Sequence, residues 1–163
     1  MATPREQAGL ALSVLDRLFD LQPESQKEAP LSQWEQLREF KASVCRDLSA
    51  LLNTRRADQD FDPAYEEAAN SLLSFGITDF TSYNLKSGVD QEHVRRSIER
   101  AIRQFEPRLA RVSVLIQEPD PVRPVLQFQI EALLRVEPAA ESVVFDVSLH
   151  RESRRVAVSG GTL

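Results

Sequence analysis

Cysteine is nearly missing from this chain: Cys45 is the only one among 163 residues. Neither an internal disulfide nor a multi-cysteine metal site can form, and a reducing cytoplasm is the expected setting. Lysine is almost as scarce, with Lys27, Lys41 and Lys86 set against a majority of arginines, which favour planar two-pronged ion pairs and protein interfaces. Positive charge is in deficit, the net charge being −5, so nothing draws the whole molecule to nucleic acid or anionic membranes. Long apolar runs are lacking too. No segment reaches a membrane-spanning length, and Arg5, Glu6, Asp16 and Arg17 interrupt the start too often for a signal peptide. Glycine is sparse, and Gly76 and Gly88 have neither the glycine cluster nor the Lys-Ser/Thr pair of a phosphate-binding loop. Hydrophobic content is ordinary at 42%, enough for one domain with a core of its own.

The first two thirds of the chain have helical period. Residues 9–20 place Leu10, Val14, Leu15, Leu18 and Phe19 on one face. So short a helix is marginal in water and must dock on its own domain or on a partner. After a polar run, Ser32-x-x-Glu35 reads as a capping box opening a longer helix. Its stripe is Trp34, Leu37, Val44, Leu48 and Leu51, widened by Phe40 and Leu52, with Cys45 on or beside it as an inert thiol. Asn53 is expected as a left-handed C-cap, with Arg55 and Arg56 suiting the negative helix end. Pro63, capped by Asp62, should start a short helix that carries Tyr65, Ala69, Leu72 and Leu73 and stops at Gly76. Residues 77–88 read as an ordered loop, since Phe80, Tyr83 and Leu85 are too apolar to lie wholly in water. Asp90 should cap the next helix, Val89 stapling against Val94. Val94, Ile98, Ala101, Ile102 and Phe105 form its stripe. Glu92–Arg96 and Glu99–Arg103 are favourable i,i+4 pairs, and the glutamates among these arginines argue for a solvated or protein-facing surface over a nucleic-acid face.

Phe105-Glu106-Pro107-Arg108-Leu109 is the hinge of the sequence. The proline crowds Glu106 out of the helical region, so the helix should stop at Gln104 or Phe105. Thereafter the period is two. Val112, Val114 and Ile116 share one side of a strand; after a proline-rich connection, Leu126, Phe128, Ile130 and Ala132 face inward while Gln127, Gln129 and Glu131 face out. Val143, Phe145, Val147 and Leu149 mark a third strand, and Arg154–Val158 a fourth, at an edge. The switch of period implies an α+β fold with helices packed on one face of a small, mainly antiparallel C-terminal sheet.

Few residues invite catalysis. His93 and His150 have no serine or cysteine constellation to serve. Glu106 is the best acid for a glycosidase, but such enzymes need a second carboxylate flanking the bond, and none stands out. Arg108 two residues away also favours the charged carboxylate over the protonated acid. No metal site and no cofactor is expected.

Several stretches resemble, in order, one known family. They are Ser43-Val44-x-Arg46-Asp47-Leu48-x-x-Leu51-Leu52-Asn53-Thr54-Arg55-Arg56, then Ser71–Phe80, Phe105-Glu106-Pro107-Arg108-Leu109, Leu126–Leu134, and Glu137-Pro138 with Val144-Phe145-Asp146. Together they are similar to the TssE family of type VI secretion baseplate subunits, related to the phage-tail proteins labelled "lysozyme-like". One departure is Thr78, where the family usually has proline. The resemblance implies a sheath-like "handshake" domain at residues 31–158, preceded by an adaptor helix and linker at 1–30 and followed by a flexible tail at 159–163. It implies a structural protein joining the wedge subunits TssF, TssG and TssK to the sheath subunits TssB and TssC. The place implied is the cytoplasmic baseplate docked on the inner-membrane complex, without nucleic acid or direct membrane insertion. The rival reading is a peptidoglycan-cleaving glycosidase using Glu106. Within the scaffold reading, Glu106, Pro107, Arg108, Arg55 and Arg56 are expected as a structural clamp or interface, with Arg55 or Arg56 pairing to Glu106. Leu10, Val14 and Leu18 are expected to bind the wedge, and the edge of Arg154, Arg155, Val156 and Val158 to take the first sheath arm.

Overall fold

The computed structural model describes residue 18 and residues 32–56, 65–80, 83–84, 87–117, 125–137, 139–150 and 155–162. Helix α1 spans Gln33–Asn53, a short α2 Glu66–Ala69, and α3 Gly88–Phe105; a 3-10 turn covers Leu72–Ser74. Strands β1 (Leu109–Ile116), β2 (Val125–Leu134), β3 (Glu141–His150) and β4 (Arg155–Thr162) form one antiparallel sheet in the order β1-β2-β3-β4. The chain is α+β, as its change of period requires.

Register explains why the sheet has one apolar face. Phe128 lies opposite Val147, Ile130 opposite Phe145, and Ala132 opposite Val143, and all six are buried. With a side-chain period of two, these pairs share one side. Helix α1 covers the β4 half of that side with Phe40, Val44, Leu48 and Leu52, while α3 covers the β1 half with Val94, Ile98 and Ile102. Fully burying side chains such as Ile130 or Phe145 contributes about 1.5–3 kcal/mol each. Lys41 adds a tie from α1 to β3, its Nζ 2.7 Å from Glu141 Oε1.

The Ser32–Glu35 capping box is present in both directions: Ser32 N–H donates to Glu35 Oε2 at 2.8 Å, and Ser32 Oγ accepts from Glu35 N–H at 3.3 Å. Other ends differ from expectation. Trp34 is 81% exposed and not core; it sits in the first turn of α1, where the groove it lines has the side-chain-free Gly160 as its one sheet residue among the described residues. Asn53 remains helical, and Thr54 is the C-cap in extended conformation. Ser71 interrupts the helix expected to run to Gly76. Its hydroxyl donates to Ala68 O at 2.7 Å and accepts from Leu73 N–H at 3.3 Å, starting a separate turn, and Tyr65, Leu72 and Leu73 are left exposed. Ser87, not Asp90, is the N-cap of α3; Asp90 lies in the first turn and accepts from Asn84 N–H at 2.7 Å. Val89 is 68% exposed, in place of the burial a staple onto Val94 would bring. Strand β4 runs through Ser159 and Gly160 to Thr162, taking up residues expected as tail. Arg154, Leu10 and Val14 lie outside the described residues; Leu18 is helical and 74% exposed.

Two local features shape the surroundings of the joint. Chain 74–78 returns beside the end of α1: Ile77 N–H donates to Thr54 O and Arg56 N–H to Ile77 O, both at 3.0 Å. Gly76 makes this possible, for its φ is 110° and a Cβ there would lie 2.5 Å from Thr54 O. In β1 the pairing slips between Ala110 and Ser113, a bulge in which Arg111 takes a left-handed φ of 51°. No helix among the described residues is long and apolar enough to cross a membrane.

Candidate functional site

Helix α3 stops at Phe105, and Glu106 before the proline adopts φ −122° and ψ 77°. The chain then turns tightly, Leu109 N–H donating to Glu106 O at 3.1 Å, and enters β1. This turn brings Arg108 back over Glu106. Arg108 Nε donates to Glu106 Oε1 at 2.6 Å and Nη2 donates to Glu106 Oε2, a two-pronged pair. Nη2 also lies 2.6 Å from Asp47 Oδ2, Nη1 is 3.1 Å from Ser43 Oγ, and the guanidinium carbon stands 5.7 Å from the centroid of Phe40. Ser43 and Asp47 are four residues apart on α1, so both point the same way. One arginine therefore ties the α3–β1 turn to the middle of α1.

Glu106 is only 4% exposed. Burial opposes the charge on Arg108, but the bonds and attraction of Glu106, then of Asp47, outweigh it and hold the guanidinium above its usual value. Arg55 and Arg56 are not partners of Glu106, contrary to expectation. Arg55 Nη1 donates to Leu52 O at 3.1 Å, on a terminal carbonyl of α1, and its guanidinium carbon lies 6.0 Å from the Phe80 ring centroid. Arg56 lines a separate cavity. Both sit at the C-terminal end of α1, where the return of chain 74–78 keeps them away from the turn.

The family model of baseplate wedge protein gp25 matches residues 38–139. The chain belongs to this family. The match takes in the core of α1, all of α3, the Glu106–Arg108 turn, β1 and β2, and ends just before β3. No curated protein matches the chain significantly. The chain is thus a gp25-family baseplate component, a structural member of a contractile tail assembly.

Two carboxylates of this gp25-family protein were illegible as site residues. Asp47 is a second acid beside Glu106, joined to it through one nitrogen of Arg108. That arrangement does not open a glycosidase site. Both Glu106 oxygens already accept from Arg108, the arginine fills the gap between the acids, and the Glu106 side chain is sealed from solvent. A glycosidic oxygen needs to reach a proton-bearing acid, and here a guanidinium stands in its place. Glu99 is the other. It is buried against β1, accepting from Val114 N–H at 3.0 Å and from Arg95 and Arg103, while Arg103 Nη2 donates to Val112 O at 2.9 Å. Helix α3 thus satisfies a carbonyl within the β1 bulge, Val112 O, and an N–H just beyond it, that of Val114. Glu99 reads in sequence as one half of a surface i,i+4 pair; its position directly after Ile98 on the buried stripe is the only sign of burial.

Proposed function

We propose that this protein is the adaptor between wedge and sheath in a contractile injection machine of the type VI secretion kind. The observation that carries the reading is the gp25 wedge match across the entire helix–sheet joint. On this reading it binds wedge subunits of the TssF, TssG and TssK classes and sheath subunits of the TssB and TssC classes, at the cytoplasmic baseplate on the inner-membrane complex. It turns over no substrate; its work is templating. The Arg108 clamp fixes α1, α3 and the sheet as one body, so that the sheet edge is presented at a set angle.

That edge is β4. A sheet takes a further strand only where main-chain groups are uncovered. On β1, Glu99 takes the N–H of Val114 and Arg103 the carbonyl of Val112. Along β4, Asn53 takes both groups of Val156: Nδ2 donates to Val156 O at 2.8 Å and Oδ1 accepts from Val156 N–H at 2.9 Å. Further along, the Cys45 thiol makes a weak 3.5 Å contact with Val158 O, and the strand borders an open groove of about 740 Å³ whose α1 wall includes Ala42, Ser49 and Ala50. The sheath-facing segment is therefore Val158–Gly160 in preference to Val156.

Co-purification tests the reading. A tagged copy expressed in cells that build the machine is expected to bring down both wedge and sheath subunits. Deleting residues 1–25, with Leu10, Val14 and Leu18, should leave a folded core that retains sheath contact and loses the wedge. Recovery of unrelated partners alone would overturn the proposal, and an unfolded truncation would assign the first helix to the core.

A further inference from the structure

Beside the end of α1 lies a polar cavity of about 340 Å³, walled by the chain around Thr78 and by α3. Arg56, His93, Arg96 and Arg100 line it with Thr78 and Ser97, and none of its described lining residues is acidic. This is a local reversal of charge in a chain of net charge −5. Arg96 is compensated, its Nε lying 2.6 Å from Glu92 Oε1. Arg56 Nε is buried and has no hydrogen-bond partner among the described residues. Arg100 makes no ion pair among the described residues. Thr78 Oγ1 and Ser97 Oγ are 2.7 Å apart and share one hydrogen, so the second hydroxyl hydrogen of the pair is free to donate.

A buried cationic donor left unsatisfied is costly and rare in native proteins. It makes sense where the missing acceptor arrives with a ligand. The ligand's wider chemistry is set by the neighbouring surface. Leu72 and Leu73, 84% and 63% exposed, directly precede Ser74, which lines the same cavity. A free inorganic anion would leave both leucines in water, whereas a polypeptide that delivers a carboxylate to the cavity also covers them.

We propose that this cavity receives a side-chain carboxylate from an acidic, partly apolar segment of a neighbouring protein, gripped by Arg56 and Arg100, with Leu72 and Leu73 packed under the same segment. The inference rests on the chain's working within a protein assembly, and it holds for whichever neighbour that is.

The test is NMR of the arginine Nε–H signals of the full chain, titrated with sodium acetate, with inorganic phosphate, and with a capped hexapeptide alternating aspartate and leucine. The peptide is expected to move the Arg56 and Arg100 signals at concentrations about tenfold below acetate. Arg100→Gln, at an exposed position that does not endanger the fold, should weaken peptide binding about tenfold, the loss of one charge-assisted contact. Leu72→Ser with Leu73→Ser should weaken the peptide and leave acetate unchanged. Arg56→Gln should abolish binding without lowering thermal stability, because it removes a buried Nε–H donor that no described residue satisfies. Phosphate saturating the arginines with the peptide no better than acetate would make this a small-anion site and overturn the proposal, as would silence to all three probes. Replacing Asp58, Asp60 and Asp62 by Asn should not change peptide affinity; a large gain would show the chain's own aspartates competing for the cavity, and would also overturn it.

Discussion

Arg108 is worth more than its single charge. It bonds Glu106 by two nitrogens, reaches Asp47 and Ser43 on another helix, and covers the ring of Phe40. A lysine could keep the charge but not the fork. Removing one partner of a buried pair strands the other, which costs about 3–5 kcal/mol, more than the intact pair contributes over an apolar replacement. Glu106→Ala should therefore lower the melting temperature by about 10 °C, at roughly 2–4 °C per kcal/mol for a chain this size. Asp47→Ala should cost clearly less, because Asp47 is partly solvated and Arg108 keeps Glu106. Thermal unfolding of both variants checks the order. A Glu106→Ala protein as stable as wild type but defective in assembly would make Glu106 an interface residue in place of a clamp.

Each element was legible in the sequence to the extent that its own pattern decided it. Strand β2 has the expected limits because alternation from Val125 to Leu134 is unbroken, and α1 starts where its capping box says. What could not be read depended on contacts between elements. Asn53 looked like a C-cap, yet its carboxamide is used on β4, more than a hundred residues away. Asp47 and Glu99 sit among surface-like charges, and only the packing of α1 and α3 on the turn and on β1 half-buries the first and takes the second inside. Trp34 had the right spacing, but nothing in the sequence said that the sheet would put a glycine beside it. The arginine pairs of α3 were legible, and they make a prediction about acid. Hydrogen bonds from Arg95 and Arg96 hold the Glu92 carboxyl down at about 2, against an ordinary 4.5. A folded value below the unfolded one stabilises the fold above about pH 4.5, and that contribution fades as pH falls toward 2. Glu92→Gln should thus be less stable than wild type near neutral pH, and the difference in melting temperature should close on acidification from pH 5 to pH 2. High salt should shrink it throughout, since the pair is at the surface.

For the molecule as a whole, the two helices leave the two ends of the sheet unequal. Helix α3 sends Glu99 and Arg103 onto Val114 and Val112 of β1, whereas α1 sends Asn53 to Val156 of β4 and only the weak Cys45 thiol contact to Val158 O, and the strand there faces an open groove. If the sheath starts by adding an arm to this sheet, we propose that the arm joins the stretch of β4 beside this groove. Val156 is a poor position to test that, because Val156→Pro would also break the bond to Asn53, worth about 1 kcal/mol, and loosen α1 from the sheet. Val158 is better. Residues two apart in a strand direct their main-chain groups the same way, so the N–H of Val158, like that of Val156, points away from β3. A proline there removes one outward donor and leaves the β3–β4 ladder whole, as edge positions allow. Val158→Pro should then fold, bind the wedge and fail to start a sheath, while Val158→Thr, which keeps the N–H, should behave as wild type. Fluorescent sheath subunits followed in cells carrying each variant decide the matter. Full-length sheaths in normal number with Val158→Pro would exclude β4 as the site of the first arm.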